Sequence, residues 1–371
     1  MHPLSSSVVY LVLGFLQLCV GVLSAPATAR GSGKAHADVW PANSTWPDSG
    51  NSTASGSWNS TSSGSWNTTS PGSSTGSPTS SGGTSSTYGS TPAFVIYTDR
   101  ATGGAVLPAV SELEGYTVVV LSFLLVSGAA DQAAAWAALS NDQKAALKSE
   151  YNAAGISVIV SAFGATDSPT SSGADPVETA NTMAQWVLDN QLDGIDVDYE
   201  DLAAMNARDG NAEAWLVTFT QTLRKKLPKG HYLLTHAPVA PWFSPVFNAT
   251  GAYLTVDQKA GDLIDWYNVQ FYNQGADMYT TCYSLLTSSG GDWPGSSLME
   301  IANAGVPSSK LVIGKTATAA DGATGFMDPQ ALGVCVAQAE KLGWNAGIMT
   351  WEYPDADSEW IKTARGSVFP L

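Results

Sequence analysis

From Ala93 onward, short apolar runs alternate with amphipathic stretches. Eight runs read as strands: residues 94–98, 117–125, 157–162, 194–200, 232–237, 266–272, 311–315 and 347–351. Helical patterns separate many of them. One opens at Ser140 with Gln143 three residues on, a capping box, and ends near Gly155. Another carries Trp215, Phe219, Leu223 and Leu227 at intervals of four and stops at Pro228. A third covers 176–188, and its Trp186, like Trp215, falls on a stripe expected to be core. Strands alternating with helices over 279 residues predict an α/β fold, a (β/α)8 TIM barrel, whose usual size is about 250 residues. An open doubly wound sheet is the competitor. Its Gly-rich turn is missing, because Gly103-Gly104 does not fit G-x-G-x-x-G.

Ahead of the barrel the pattern is different. Residues 8–23 form an uncharged, mostly apolar run followed by Ser24 and Ala25, which predicts a signal peptide over 1–24. Of the 43 residues from 49 to 91, 34 are Ser, Thr or Gly and none is charged, too little apolar surface to offset backbone entropy. A period of eight sets Asn43, Asn51, Asn59 and Asn67 in N-x-[ST] sequons, with a fifth at Asn248. Residues 25–92 are expected to be a disordered, glycosylated linker, and 93–371 the catalytic barrel.

The chain of 371 residues has a formal net charge of −16. Residues 93–371 hold 14 basic and 30 acidic groups, the whole imbalance. Such a surface repels phosphate backbones, so nucleic acid is excluded as a main partner. Cys19 lies in the signal, leaving Cys282 and Cys335, which either pair or remain buried thiols.

The chemistry concentrates in residues 193–200, Asp-Gly-Ile-Asp-Val-Asp-Tyr-Glu. Alternation puts Asp196, Asp198 and Glu200 on one strand face and Ile195, Val197 and Tyr199 on the other. In a barrel the apolar face packs on helices and the carboxylates point inward, where like charges repel and desolvation is costly. Stability gives no reason for such a ladder. A solvated edge strand and a metal site are the alternatives. His236 is the only strand histidine, and neither H-x-H nor H-E-x-x-H occurs. No metal and no cofactor are expected. A ladder of this kind shares protons, and Glu200, nearest the mouth, is suited to general acid work. Asp198 and Glu200 approach from one side, which leaves no enzyme nucleophile and suits attack by a substrate 2-acetamido group.

At these residues the sequence resembles glycoside hydrolase family 18, whose D-G-x-D-x-D-x-E motif is complete from Asp193 to Glu200. Gln270-Phe271-Tyr272-Asn273 resembles the strand-six element of the plant class III chitinases, and Ala237-Pro238 their strand-five pair. The resemblance implies catalytic roles for Asp196, Asp198, Glu200 and Tyr272, with Tyr272 bonding the acetamido carbonyl. It implies that Trp351 floors the sugar, that Tyr97 and Phe123 line the subsite, and that Gln270, Asn273 and Ser161 contact substrate. One departure stands at 161–164, Ser-Ala-Phe-Gly, where Phe163 replaces a family glycine and is expected to narrow the site. Trp242 and Trp293, at the expected mouth, either stack on sugars or pack. The expected function is a secreted, monomeric, retaining endo-hydrolase of chitin that acts on N-acetylglucosamine polysaccharide without membrane association. Fungal endo-β-N-acetylglucosaminidases, which cut the N-glycan core, share the strings at 265–272 and 351–353. A non-catalytic chitin-binding lectin is the reading from another class.

Overall fold

Apolar side chains on both faces mark strands destined for a buried parallel sheet. The computed structural model describes residues 91–100 and 105–371. Its strands are β1 (Ala93–Thr98), β2 (Val118–Leu125), β3 (Gly128–Ala129), β4 (Ser157–Phe163) and β5 (Gly194–Asp198). β6 (Leu233–His236), β7 (Tyr267–Gln270), β8 (Leu311–Thr316) and β9 (Gly347–Tyr353) follow. The order β1-β9-β8-β7-β6-β5-β4-β2 closes through a parallel β1–β2 pairing, so eight strands form a (β/α)8 barrel. β3 is a short antiparallel hairpin on β2.

All eight expected strands form, but several are shorter than their apolar runs. β5 ends at Asp198 and β7 at Gln270, which puts Glu200 and Tyr272 just past the strand ends. Those C-terminal ends are where barrel enzymes assemble their sites.

The helices follow their local signals. Helix Asn141–Ala153 has the reciprocal Ser140–Gln143 box, and Asp175 caps Pro176–Asp189 with its side chain. Helix Asn211–Lys226 buries Trp215, Phe219 and Leu223, while Trp186 is half-buried against the core. At the opposite end of the barrel Asp193 pairs with Lys148 and accepts the Val158 amide at 2.8 Å. Arg224 meets Asp265 there at 2.8 Å. The first acid of the motif is therefore a structural anchor at the barrel base.

Cys282 and Cys335 are joined, with Cα atoms 4.9 Å apart, and tie helix Cys282–Leu286 to helix Pro329–Lys341. Residues 1–24, the linker apart from Thr91-Pro92, and the four sequons from Asn43 to Asn67 lie outside the described residues. Thr91 already touches the barrel through its hydroxyl on the Ser309 carbonyl, 3.0 Å away. The fifth sequon residue, Asn248, is exposed.

Candidate active site

Asp196 organises the interior. Register sets Ser161, Asp196 and Thr235 side by side on β4, β5 and β6. Both hydroxyls donate to the carboxylate, Ser161 at 2.9 Å and Thr235 at 2.6 Å. Tyr97 of β1 donates at 2.7 Å and the Asn268 amide of β7 at 3.1 Å. Burial raises the pKa of this fully buried carboxylate, and the four donors that saturate its oxygens oppose the rise by favouring the anion.

One step nearer the mouth, Asp198 and Glu200 lie side by side on the Gln270 amide, and burial together with their mutual repulsion favours one proton held between them. Asp198 is held well above the usual carboxylate range, first by burial, then by the charges of Glu200 and Asp196. Gln270 opposes this: its amide donates to Asp198 at 2.8 Å, to Glu200 at 3.3 Å and to the Ala237 carbonyl at 2.9 Å. Tyr272 is pushed far above an ordinary phenol by burial and then by the neighbouring carboxylates, so its hydroxyl stays a donor.

Above these groups opens a pocket. It is lined by seven of the expected residues: Phe123, Asp198, Glu200, Gln270, Tyr272, Asn273 and Trp351. The Trp351 ring lies 6.0 Å from Phe123, nearly parallel, and 5.9 Å from Tyr97. The peptide bonds Ser122–Phe123 and Trp351–Glu352 are both cis.

Three of the expected residues sit elsewhere. Asp196, Ser161 and Tyr97 are 0%, 0% and 2% exposed and lie beneath the floor, where the latter two support Asp196 instead of facing a ligand. Asn273 does line the pocket, yet its carboxamide oxygen accepts the Ala323 and Thr324 amides at 2.7 and 3.4 Å and so anchors a loop.

The Phe163 departure has a different outcome from the one expected. Phe163 takes a left-handed φ of 80°, a region open to glycine, and its ring turns outward onto Trp215 (5.6 Å) and Phe219 (5.3 Å). The site is not narrowed there. Gly164 leaves the room Phe123 occupies, since a Cβ at Gly164 would come within 2.9 Å of that ring. Trp242 is fully buried between Tyr199 and Tyr253, and Trp293 stacks on Phe247 while its indole donates to the Gln274 carbonyl at 3.2 Å. Both tryptophans are packing residues.

Sequence reasoning passed over Thr235, Asn268, Gln274 and Lys315. Asn268 was within reach, because Asn268, Gln270 and Tyr272 alternate along one run. Gln274 lines the pocket and is 2% exposed, with neither amide atom partnered among the described residues. Among the described residues no group of three or more His, Cys, Asp or Glu is arranged to hold a metal ion.

The sequence model for glycosyl hydrolases family 18 matches residues 91–365. No curated protein matches the chain. Among solved structures, a family 18 chitinase from Pseudoalteromonas aurantia is 27% identical, with a TM-score of 0.60 over 74% of this chain and 99% of that one. A chitinase from Aspergillus fumigatus is 20% identical, TM-score 0.53, covering 71% of this chain and 92% of its own. A Group II chitinase catalytic domain from Ostrinia furnacalis, solved with a (NAG)5 oligosaccharide, is 13% identical, TM-score 0.54, covering 74% and 95%. These last two speak for the fold alone. With the family's sequence pattern spanning the whole barrel and an acid ladder at the strand ends, this chain belongs to glycosyl hydrolases family 18 and is a glycosidase.

Proposed function

We propose that the chain is an endo-acting chitinase that cleaves β-1,4 bonds after N-acetylglucosamine with retention of configuration. The observation that carries the mechanism is the one-sided placement of the acids. Among the described residues lining the pocket, the carboxylates are Asp198 and Glu200, adjacent on one strand and its extension. A two-carboxylate mechanism needs groups on opposite sides of the scissile bond, about 5 Å or more apart. Acids two residues apart on one strand face, both within reach of the same Gln270 amide, do not flank a sugar in that way.

The substrate's own 2-acetamido group takes the nucleophile's place. Glu200 gives the shared proton to the glycosidic oxygen, and the C–O bond breaks as the acetamido oxygen attacks the anomeric carbon. Asp198, now an anion, accepts the acetamido N–H and balances the positive oxazolinium ring. Tyr272 donates to the acetamido oxygen, and Trp351 supports the ring face of the sugar. Water then opens the oxazolinium with Glu200 as base. Chitin is favoured as substrate by the likeness to the Pseudoalteromonas chitinase, which extends over 99% of that enzyme.

The test sets chitin oligomers beside a high-mannose glycoprotein. Oligomer cleavage is expected, abolished when the sugar bearing the reacting centre carries a free amine. Glu200→Gln should lower kcat by about 10²–10⁴ while oligomer binding survives. Activity on the glycoprotein alone would overturn the chitin reading and favour the N-glycan core. Cleavage of the de-acetylated sugar at a similar rate would overturn the mechanism.

Export is part of the same proposal. The Cys282–Cys335 bond suits an oxidising compartment, and the apolar run at 8–23 supports a cleaved signal. Activity in the culture medium of an expressing cell, on a chain beginning near Ala25, is the expected result; retention of residues 1–24 would refute it.

A further inference from the structure

Lys315 stands apart from the site described so far. It is the penultimate residue of β8, is fully buried, and among the described residues forms no ion pair. Its Nζ donates to three backbone carbonyls: Phe271 at 2.8 Å, Tyr279 at 2.7 Å and Gly325 at 2.9 Å. An ammonium has three N–H donors, and three acceptors match it. Burial pulls the group down to about 7, but the neutral amine has only two donors and would leave a buried carbonyl unmet. A leucine or methionine would fill the same volume without burying a charge, so packing gives no reason for lysine here.

Two of these carbonyls belong to residues bordering Tyr272, and the third to a residue packed on Phe271. Phe271 precedes Tyr272 in the chain. Gly325 packs on the Tyr272 backbone so closely that a Cβ on it would lie 2.6 Å from the Tyr272 Cα. Tyr279 holds the Phe271 ring edge-on at 5.2 Å. The loop bearing Gly325 is fastened a second time next door, where Asn273 accepts the Ala323 and Thr324 amides and its own amide reaches the Thr324 carbonyl at 3.0 Å. Tyr272 lies just beyond the end of β7, without the strand ladder to hold it.

We propose that Lys315 is a positioning residue for Tyr272: its ammonium gathers the carbonyls of Phe271, Tyr279 and Gly325 and so sets where the tyrosine hydroxyl meets the reacting acetamido group. The inference rests on the mechanism proposed above, in which that hydroxyl donates to the substrate. Lys315 touches no substrate and acts through the backbone on either side of Tyr272. Its loss should slow the chemical step and leave the aromatic platform that binds sugar as it was.

The test is a double-mutant cycle in the full chain on chitin oligomers, with Tm recorded for each variant. Lys315→Met should lower kcat by about 10- to 100-fold, since a displacement near 1 Å at a reacting group costs about 10²-fold, with KM nearly unchanged. Added to Tyr272→Phe, it should cost little more, because the hydroxyl it positions is already gone. Wild-type kcat in folded Lys315→Met, or losses that multiply in the double variant, would overturn the inference. Should Lys315→Met not fold, Lys315→Gln keeps two donors and is carried through the same cycle, where a slowed kcat that Tyr272→Phe masks supports the inference and a wild-type kcat overturns it. A wild-type rate in Tyr272→Phe alone would instead remove the tyrosine from the mechanism, and that single variant reads it separately.

Discussion

Replacing Gly325 with alanine probes how tightly the tyrosine is held. Gly325 has a φ of +83°, where a Cβ costs roughly 1–2 kcal/mol. The added carbon would lie 2.6 Å from the Tyr272 Cα, about 0.8 Å inside the 3.4 Å at which ordinary contact begins. The Phe271 carbonyl oxygen and Tyr272 Cβ, both at 3.2 Å, close off the other directions. These are backbone and near-backbone atoms, so no rotamer change relieves the clash. The loop is held by Lys315 and Asn273, and part of the shift must fall on Tyr272. A displacement approaching 1 Å at a positioned group costs about 10²-fold in rate, or about 2.7 kcal/mol of barrier. Gly343→Ala is the control, because its φ is +87° and nothing lies within 4 Å of its missing Cβ. It should lose roughly 2–8 °C of Tm from backbone strain and keep its kcat. Steady-state kinetics on chitin oligomers, with Tm by calorimetry, separates the two effects. If Gly325→Ala behaves like Gly343→Ala, with a lowered Tm and an unchanged kcat, the claim that this contact fixes Tyr272 is refuted.

Asp196→Asn removes the buried charge that helps raise Asp198, so the proton shared with Glu200 should come off at lower pH. Because Glu200 needs that proton to act as the acid, activity is lost as pH rises through that ionisation, and the alkaline limb of kcat/KM should move to lower pH; an unmoved or upward-shifted limb refutes the assignment. Cutting the Cys282–Cys335 link by double substitution to serine frees a 53-residue loop in the unfolded chain and should cost about 4 kcal/mol in chemical denaturation, where a change below about 1 kcal/mol would show the bond to be unimportant for stability.

What the sequence determined by itself was local. Period-two alternation assigns Asp196 and Asp198 to the inner face and Tyr199 to the outer one, and the structure keeps that division, with Tyr199 packed on Trp215 and Trp242. Capping chemistry at Ser140 and the apolar stripe through Phe219 likewise need only neighbouring residues. Depth along the barrel axis is another matter. It depends on how tilted strands are staggered against one another, a relation among segments far apart in the chain. Tyr97 and Trp351 both belong to the inner aromatic cluster, yet the stagger puts one under the floor and the other in the pocket wall. Ser161 reads as a contact residue on its own strand and becomes a support for Asp196 only because β4 and β5 pair in that register. Phe163 departs from a family pattern in sequence, but its ring direction follows from a left-handed backbone that no pattern of polar and apolar residues encodes. Lys315 meets three carbonyls contributed by two loops, and the Cys282–Cys335 link joins two helices through cysteines 53 residues apart in sequence. Such contacts exist only once the barrel has closed, because closure brings those loop and helix ends within bonding distance.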